Sequence, residues 1–168
     1  APDDEMALAE KLRQADASSL VDRDLLEGQV QAMYRQVARE EEAHLHFAVG
    51  RPIALRVGYP GELLDAIPAE ALASFAGVGY HLDLAALAPG EQVLDLGSGS
   101  GTDVFCAAVQ VGVSGHVVGV DFTDEQLGKA TRLRDRDGFT QAEFVEASID
   151  ALPFEDASFD AVISNGVI

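Results

Sequence analysis

The spacing of apolar side chains divides this chain into a helical first part and an alternating second part. Between residues 22 and 43, Leu25, Leu26, Val30, Met33, Tyr34 and Val37 recur at helical intervals, and Glu40, Glu41 and Glu42 form a charged exit. This predicts an amphipathic helix packed on a larger body. From Gly50 to Gly61 the chain is interrupted by Pro52, Gly58 and Pro60, and the alternation Ile53, Leu55, Val57 predicts a short extended segment or turn within a connector. Two short helical stretches separated by Pro68 are expected over Leu63 to Phe75, then a bend at Ala76-Gly77-Val78-Gly79 and a helix from Tyr80 to Leu87. After the turn Ala88-Pro89-Gly90 come short apolar runs at Val93–Leu96, Gly115–Phe122, Phe144–Ala147 and Phe159–Ser164, each read as a strand. Helices are predicted between them, from Thr102 to Val109 and from Asp124 to about Asp137. The second begins with a capping-box pattern, Thr123 to Gln126, has Leu127, Ala130, Leu133 and Arg134 on its inner face, and stops at Gly138. Strands alternating with helices through short connections predict an α/β fold built on a doubly wound parallel sheet.

The run Val93-Leu94-Asp95-Leu96-Gly97-Ser98-Gly99-Ser100-Gly101 joins the first strand to the helix after it through three glycines at alternate positions. Glycines so placed let the backbone turn sharply, leave no Cβ where a ligand lies against main chain, and aim amide N–H groups at that ligand. The segment therefore reads as a nucleotide-cofactor site. A dinucleotide fingerprint has the spacing G-x-G-x-x-G, whose third glycine would fall at Thr102; here the spacing is G-x-G-x-G, with Asp95 two places before Gly97. That pattern favours S-adenosylmethionine over NAD. The second strand closes on Asp121, twenty positions beyond Gly101. An acid about 20 residues past the glycine loop is placed to accept hydrogen bonds from ribose hydroxyls.

Composition narrows the partners. The 168 residues, 48% hydrophobic, suffice for one core with an appended helical part. The formal charge is −18, lysine occurs only at positions 11 and 129, and the densest cationic stretch, Arg132, Arg134 and Arg136, is interleaved with Asp135 and Asp137. Nucleic acid is not the expected partner of such a surface, because phosphate binding needs clustered cations. Cys106 is the only cysteine, so no intrachain disulfide forms. No apolar run reaches the roughly 18 residues that span a bilayer, and the acidic opening Ala1-Pro2-Asp3-Asp4-Glu5 lacks the cationic region of a signal peptide. The expectation is a cytoplasmic protein without a membrane partner.

Four pieces, V-L-D-L-G-S-G-S-G, G-V-D-F-T, A-L-P-F and F-D-A-V-I-S-N-G-V-I, stand in the order seen in class I methyltransferases that use S-adenosylmethionine, and the chain resembles that superfamily from about Val30 onward. Within it, G-S-G-S-G-T-D, D-F-T-D-E-Q-L and S-N-G-V-I are similar to the arsenite methyltransferase branch, near the ubiquinone-biosynthesis methyltransferases. The resemblance implies a Rossmann-like domain over 91–168 and a helical lid and connector over 1–90, with Tyr34 and Phe75 in the lid. It also implies that Gly97, Ser98, Gly99 and Gly101 wrap the methionine end of the cofactor, and that Asp95 orients the loop or the cofactor amino group. Asp121 would bind the ribose hydroxyls and Phe122 would lie on the adenine face. Ser148 and Ile149 occupy the place of the adenine edge, where the family often has an acid beside an apolar residue; Ser148 departs from that pattern. Asn165 would contribute a side-chain or backbone group near the methionine end.

The acceptor is a small molecule on this reading, and arsenite is not the expected one. The arsenite branch carries cysteines near its N-terminal helix, in an S-x-G-C-G segment and in S-N-C-V, whereas here those places read Ala43-His44-Leu45-His46, Ser74-Phe75-Ala76-Gly77-Val78 and Ser164-Asn165-Gly166-Val167. Cys106 is expected to be a small buried residue. His44 and His46 follow three glutamates, but an i, i+2 pair converges only on an extended segment, so no metal site is assigned. His81 and His116 are isolated and read as structural; no catalytic residue is named. Sulfonium methyl transfer depends mainly on alignment and exclusion of water. The superfamily continues beyond a fourth strand, so the chain is expected to be a fragment, the ordered part of a longer protein, or a subunit completed by another copy through the exposed sheet edge. A non-catalytic cofactor-binding or interaction module is the alternative to an enzyme.

Overall fold

Four parallel strands form the core of the computed structural model, which describes residues 49–167. All of these fall in one unit of the chain, Tyr34–Ile168. The expected helix over 22–43, Tyr34 and the His44–His46 pair lie outside the described residues. The strands are β1 (Gln92–Leu96), β2 (His116–Asp121), β3 (Ala142–Glu146) and β4 (Ala161–Ser164). Their order is β3-β2-β1-β4, and every pairing is parallel. The chain runs outward from β1 to β3 and then returns to the other side of β1, so strand order reverses between β1 and β4. In open α/β sheets such a reversal leaves a crevice outside the carboxyl ends of the strands, where ligands bind.

Among the described residues four short helices precede the sheet: α1 (Arg51–Arg56), α2 (Gly61–Asp65), α3 (Ala69–Leu72) and α4 (Leu82–Ala85). Two longer ones connect its strands: α5 (Thr102–Val111) between β1 and β2, and α6 (Asp124–Asp137) between β2 and β3. The principal core joins Val93, Val117, Ala142 and Ile163 of the strands to Phe105 and Val111 of α5, Leu133 of α6, and Ala54, Leu64, Leu72 and Leu82 of the short helices. Phe105 lies edge-on to Phe139 and Phe144, with centroids 4.9 and 5.6 Å away. The alternate strand positions Leu94, Val118 and Val120 point to the other face, where Phe154 and Phe159 join them. Residues 49–90 thus share one hydrophobic core with the sheet.

The structure corrects several local expectations. Ile53, Leu55 and Val57 do not form an extended segment: 51–56 is helical, with Pro52 in the first turn, and only Ala54 of that helix is fully buried. Proline is preorganised for a helix start, and a period of two over five residues also fits one turn, so tertiary packing of Ala54 decides. The helix expected over Tyr80–Leu87 contracts to Leu82–Ala85, because Tyr80 N–H is taken by the Val57 carbonyl (3.1 Å) and Ala86 is left-handed at φ 47°. The capping box does not form. Thr123 N–H instead donates to Asp121 (2.8 Å), and Thr123 Oγ1 and Gln126 Oε1 are buried without hydrogen-bond partners among the described residues. Arg134 is half-buried, while Gln126 joins Leu127, Ala130 and Leu133 as the buried residues of α6. Phe75 is buried and packs edge-on against Tyr59 (5.1 Å), so it is a core residue.

Candidate functional site

The carboxyl ends of the strands carry the expected loop. Gly97, Gly99 and Gly101 all adopt positive φ, 75°, 54° and 94°, and each is constrained differently. A Cβ on Gly101 would lie 2.8 Å from the Phe144 ring and 2.9 Å from the Phe105 ring, so this glycine lets α5 start tight against the aromatic core. A Cβ on Gly97 would collide with Val167. A Cβ on Gly99 would meet nothing within 4 Å among the described residues, which leave the space above the loop open there. Gly97 and Ser98 N–H both donate to the Val120 carbonyl, at 2.9 and 2.8 Å, which folds the loop back over β2. That crossing requires Gly119, where a Cβ would come within 2.7 Å of Ser98 and Val104. The sequence analysis did not single out Gly119; its signal is a glycine inside a β-branched strand, a mark of close backbone approach.

Asp121 sits at the end of β2 with both carboxylate oxygens engaged, Oδ2 accepting from Gly99 N–H (2.9 Å) and Oδ1 from Thr123 N–H (2.8 Å). It couples the loop to the start of α6, and each oxygen retains a second acceptor direction. Asp95, 2% exposed at the end of β1, is pushed well above the ordinary carboxylate range, first by burial and then by the charges of Asp103 and Asp121. Ser98 Oγ is buried and has no hydrogen-bond partner among the described residues. An open space over a positive-φ glycine, beside an unpartnered buried hydroxyl and an acid with spare acceptor capacity, suits a nucleotide-type cofactor laid against the loop. Phe122 follows directly on β2 and is half-buried, while Ser148 and Ile149 are exposed just past β3, in a turn closed by the Ser148–Ala151 bridge. All the expected site residues therefore lie along the carboxyl edge of the sheet, though Gly101 turns its missing side chain toward the core.

A polar network that no spacing in the sequence announces joins Tyr59, Asp103 and Asn165. Tyr59 O–H donates to Asp103 Oδ1. Asn165 Nδ2 donates to Tyr59 Oη (2.9 Å), Asp103 Oδ2 (3.1 Å) and the Gly79 carbonyl (3.0 Å), and Asn165 Oδ1 accepts Val78 N–H (2.9 Å). Both ends of the Asn165 amide are thus bonded to protein groups. Burial raises the pKa of Asp103, opposed by its bonds to Tyr59 and Asn165 and by His81 nearby; burial and the Asp103 charge push the Tyr59 hydroxyl up as well. Both ring nitrogens of His81 are buried without hydrogen-bond partners among the described residues, whereas His116 pairs with Glu143 (2.9 Å). Behind the loop, Ser100 and Thr102 hydroxyls donate to the Ala71 carbonyl at 3.0 and 2.8 Å, fixing it to α3. Cys106 is buried, and burial together with Asp103 and Asp95 keeps its thiol protonated.

Comparison with known proteins follows the same geometry. Residues 87–168 match the model of a methyltransferase domain. The chain is 42% identical over 113 residues to an arsenite methyltransferase of Halobacterium salinarum, covering 67% of this chain and 29% of that protein. It is 37% identical over 84 residues to a ubiquinone/menaquinone biosynthesis C-methyltransferase of Shewanella oneidensis, covering 49% of this chain and 34% of that one. A solved arsenic(III) S-adenosylmethionine methyltransferase from Chlamydomonas reinhardtii is similar at a TM-score of 0.54 and 36% identity, over 66% of this chain and 40% of the other. The chain spans about a third of the length of the curated relatives it matches, 29% and 32% for two arsenite methyltransferases.

Proposed function

The chain belongs to the S-adenosylmethionine-dependent methyltransferases, and from that premise we propose that it holds the cofactor half of an enzyme that methylates a small molecule other than arsenite. The observation that carries the cofactor placement is the open space over Gly99, flanked by Ser98 and Asp121 at the point where strand order reverses. Gly97, Ser98 and Gly99 receive the methionine end, Asp95 orients the loop from below, and Asp121 accepts the ribose hydroxyls on its free lone pairs. Phe122 covers the adenine, and Ser148 and Ile149 border its edge. When bound, the cofactor supplies a methyl group on a positively charged sulfur, which leaves as a neutral thioether once the acceptor's electron pair takes the methyl. The residues of the chain align the two partners and exclude water.

Calorimetric titration tests the cofactor assignment. The protein should bind S-adenosylmethionine and not NAD, and Asp121→Ala should weaken binding by about 1.5–3 kcal/mol, the scale of charge-assisted hydrogen bonds. If an analogue lacking both ribose hydroxyls loses as much affinity on this substitution as the natural cofactor, Asp121 is not the ribose ligand. The acceptor is assigned on different grounds. Trivalent arsenic is held by thiolates, and Ser74–Val78 and Ser164–Val167 meet through the Val78–Asn165 bond without supplying one. Incubation of the complete protein with arsenite, a thiol and labelled cofactor should give no methylarsenic above background; robust methylation would overturn this.

A further inference from the structure

Hydroxyl side chains at a helix start ordinarily bond the free N–H groups of that same helix. At the head of α5 they do not. The N-cap, Gly101, offers no side chain, and the hydroxyls on either side of it, Ser100 and Thr102, both turn to the Ala71 carbonyl of α3, 29 and 31 residues earlier in the chain. That carbonyl is free to accept them. The helix α3 is only four residues long, Ala73 N–H goes to Glu70 and Phe75 N–H to Leu72, and no backbone N–H among the described residues reaches Ala71. A third hydroxyl completes the arrangement: Ser74 Oγ lies 2.7 Å from Ser100 Oγ. Because the single Ser100 hydroxyl proton is given to Ala71, Ser74 is the donor of this pair. Ala71 is fully buried and Ser100 and Thr102 are each 5% exposed, so the latch formed by these bonds is shielded from water.

This latch differs in kind from the other anchors of the loop. Gly97, Ser98 and Gly99 are tied to β2 by their own N–H groups, through the Val120 carbonyl and Asp121, and Gly101 is held by close packing on Phe105 and Phe144. Ser100 stands between Gly99 and Gly101, so releasing it from α3 frees the stretch that carries Gly99 while the β2 anchors stay in place. The same helix also reaches α6 through Glu70 and Arg136, but both side chains are about half exposed, and such pairs contribute little. We infer that Ser100 and Thr102 are positioning residues for the cofactor, with Ser74 supporting Ser100: their hydroxyls hang the glycine loop on α3 and keep Gly97–Gly99 in the placement that receives the methionine end. This rests on the cofactor reading above. Bonds that hold equally in the free and the bound protein change stability and leave affinity alone. Bonds that keep a binding-competent loop populated change affinity, and a loop competent a tenth of the time binds about tenfold more weakly. The latch is of the second kind.

Calorimetric titration of the complete protein with S-adenosylhomocysteine, at a temperature where circular dichroism shows each variant folded, separates the two kinds. Thr102→Val keeps the shape of the side chain and loses its hydroxyl; combined with Ser100→Ala it should weaken binding by about tenfold or more. Thr102→Ser alone, which keeps the hydroxyl, should bind within about twofold of wild type. Glu70→Gln, which loosens α3 from α6 without touching the latch, should also stay within about twofold. Amide hydrogen exchange at Gly99 should be faster in the cofactor-free double variant than in wild type, and should slow again when S-adenosylhomocysteine saturates. If the double variant does not fold, Ser100→Ala and Thr102→Val carry the test singly, each weakening binding by about threefold or more. Affinity within about twofold of wild type in the folded hydroxyl-free variants, with only their urea midpoints lowered, or a loss in Glu70→Gln as large as theirs, would overturn the latch and leave the cofactor reading standing. A wild-type protein that does not bind S-adenosylhomocysteine overturns the cofactor reading, and the latch with it.

Discussion

Two arrangements at the carboxyl ends of the strands, the glycine loop and the Tyr59–Asp103–Asn165 network, are built by opposite means. The loop comes from two neighbouring strands and the turns after them, Gly97 to Gly101 and Gly119 to Thr123, and its working parts are backbone conformation and backbone N–H groups. The network comes from segments 44 to 106 residues apart, Tyr59, Asp103 and Asn165, and its working parts are side chains whose hydrogen bonds satisfy one another. The first tolerates change only where no Cβ is needed. The second is a network in which losing one partner strands the others in a low-dielectric interior, where each unpaired group is costly.

The largest expected effect separates two glycines of the same loop. Gly101→Val places a side chain into the Phe105 and Phe144 rings at a φ of 94° and should cost about 3 kcal/mol or more of folding stability through overpacking and backbone strain. Gly99→Val, pointing into open space, should cost only about 1–2 kcal/mol from its left-handed backbone, yet abolish cofactor binding. Urea denaturation of both variants, with calorimetry on the second, checks this; equal stabilities, or unchanged binding by Gly99→Val, would erase the distinction between packed and open positions.

Next in size is the network. Asn165→Ala removes the donors to Tyr59, Asp103 and Gly79 together and should destabilise by about 2–3 kcal/mol, whereas Tyr59→Phe, which keeps the ring in the core, should lose about 1–2 kcal/mol. A double-mutant cycle measures their coupling. Strict additivity would mean that the two side chains contribute independently.

The smallest effect is a slope. Because burial raises Asp95 and Asp103, the native state keeps protons that the unfolded chain releases above the ordinary value of 3.8. Stability from this source is therefore full below that pH and falls as pH rises through the raised native values. Asp95→Asn should flatten the decline, measured as unfolding midpoints from acid to neutral pH; an unchanged slope would place the titration elsewhere.

How much of this was legible follows from range. The G-x-G-x-G spacing and the acid twenty residues on predicted the turn and the carboxylate beside it because their requirements are local: positive φ, a helix start and a carboxylate at a strand end. The strands and the two long helices were legible for the same reason, each being long or β-branched enough to outweigh its surroundings. Residues 51–56 were misread because a five-residue alternation fits either conformation, and the capping box failed because Asp121 took the Thr123 N–H first.

What the amino-acid order determined by itself was the α/β alternation, the glycine turn and the carboxylate that faces it, since backbone sterics and short-range hydrogen bonds enforce all three. Only the tertiary structure decided that Gly99 stays clear of the other described residues while Gly101 closes on aromatic rings, and that Asn165 spends its amide on Tyr59, Asp103 and the backbone of Val78 and Gly79. Those outcomes depend on which distant segments pack together, and no spacing along the chain encodes the direction in which a side chain finds its partner.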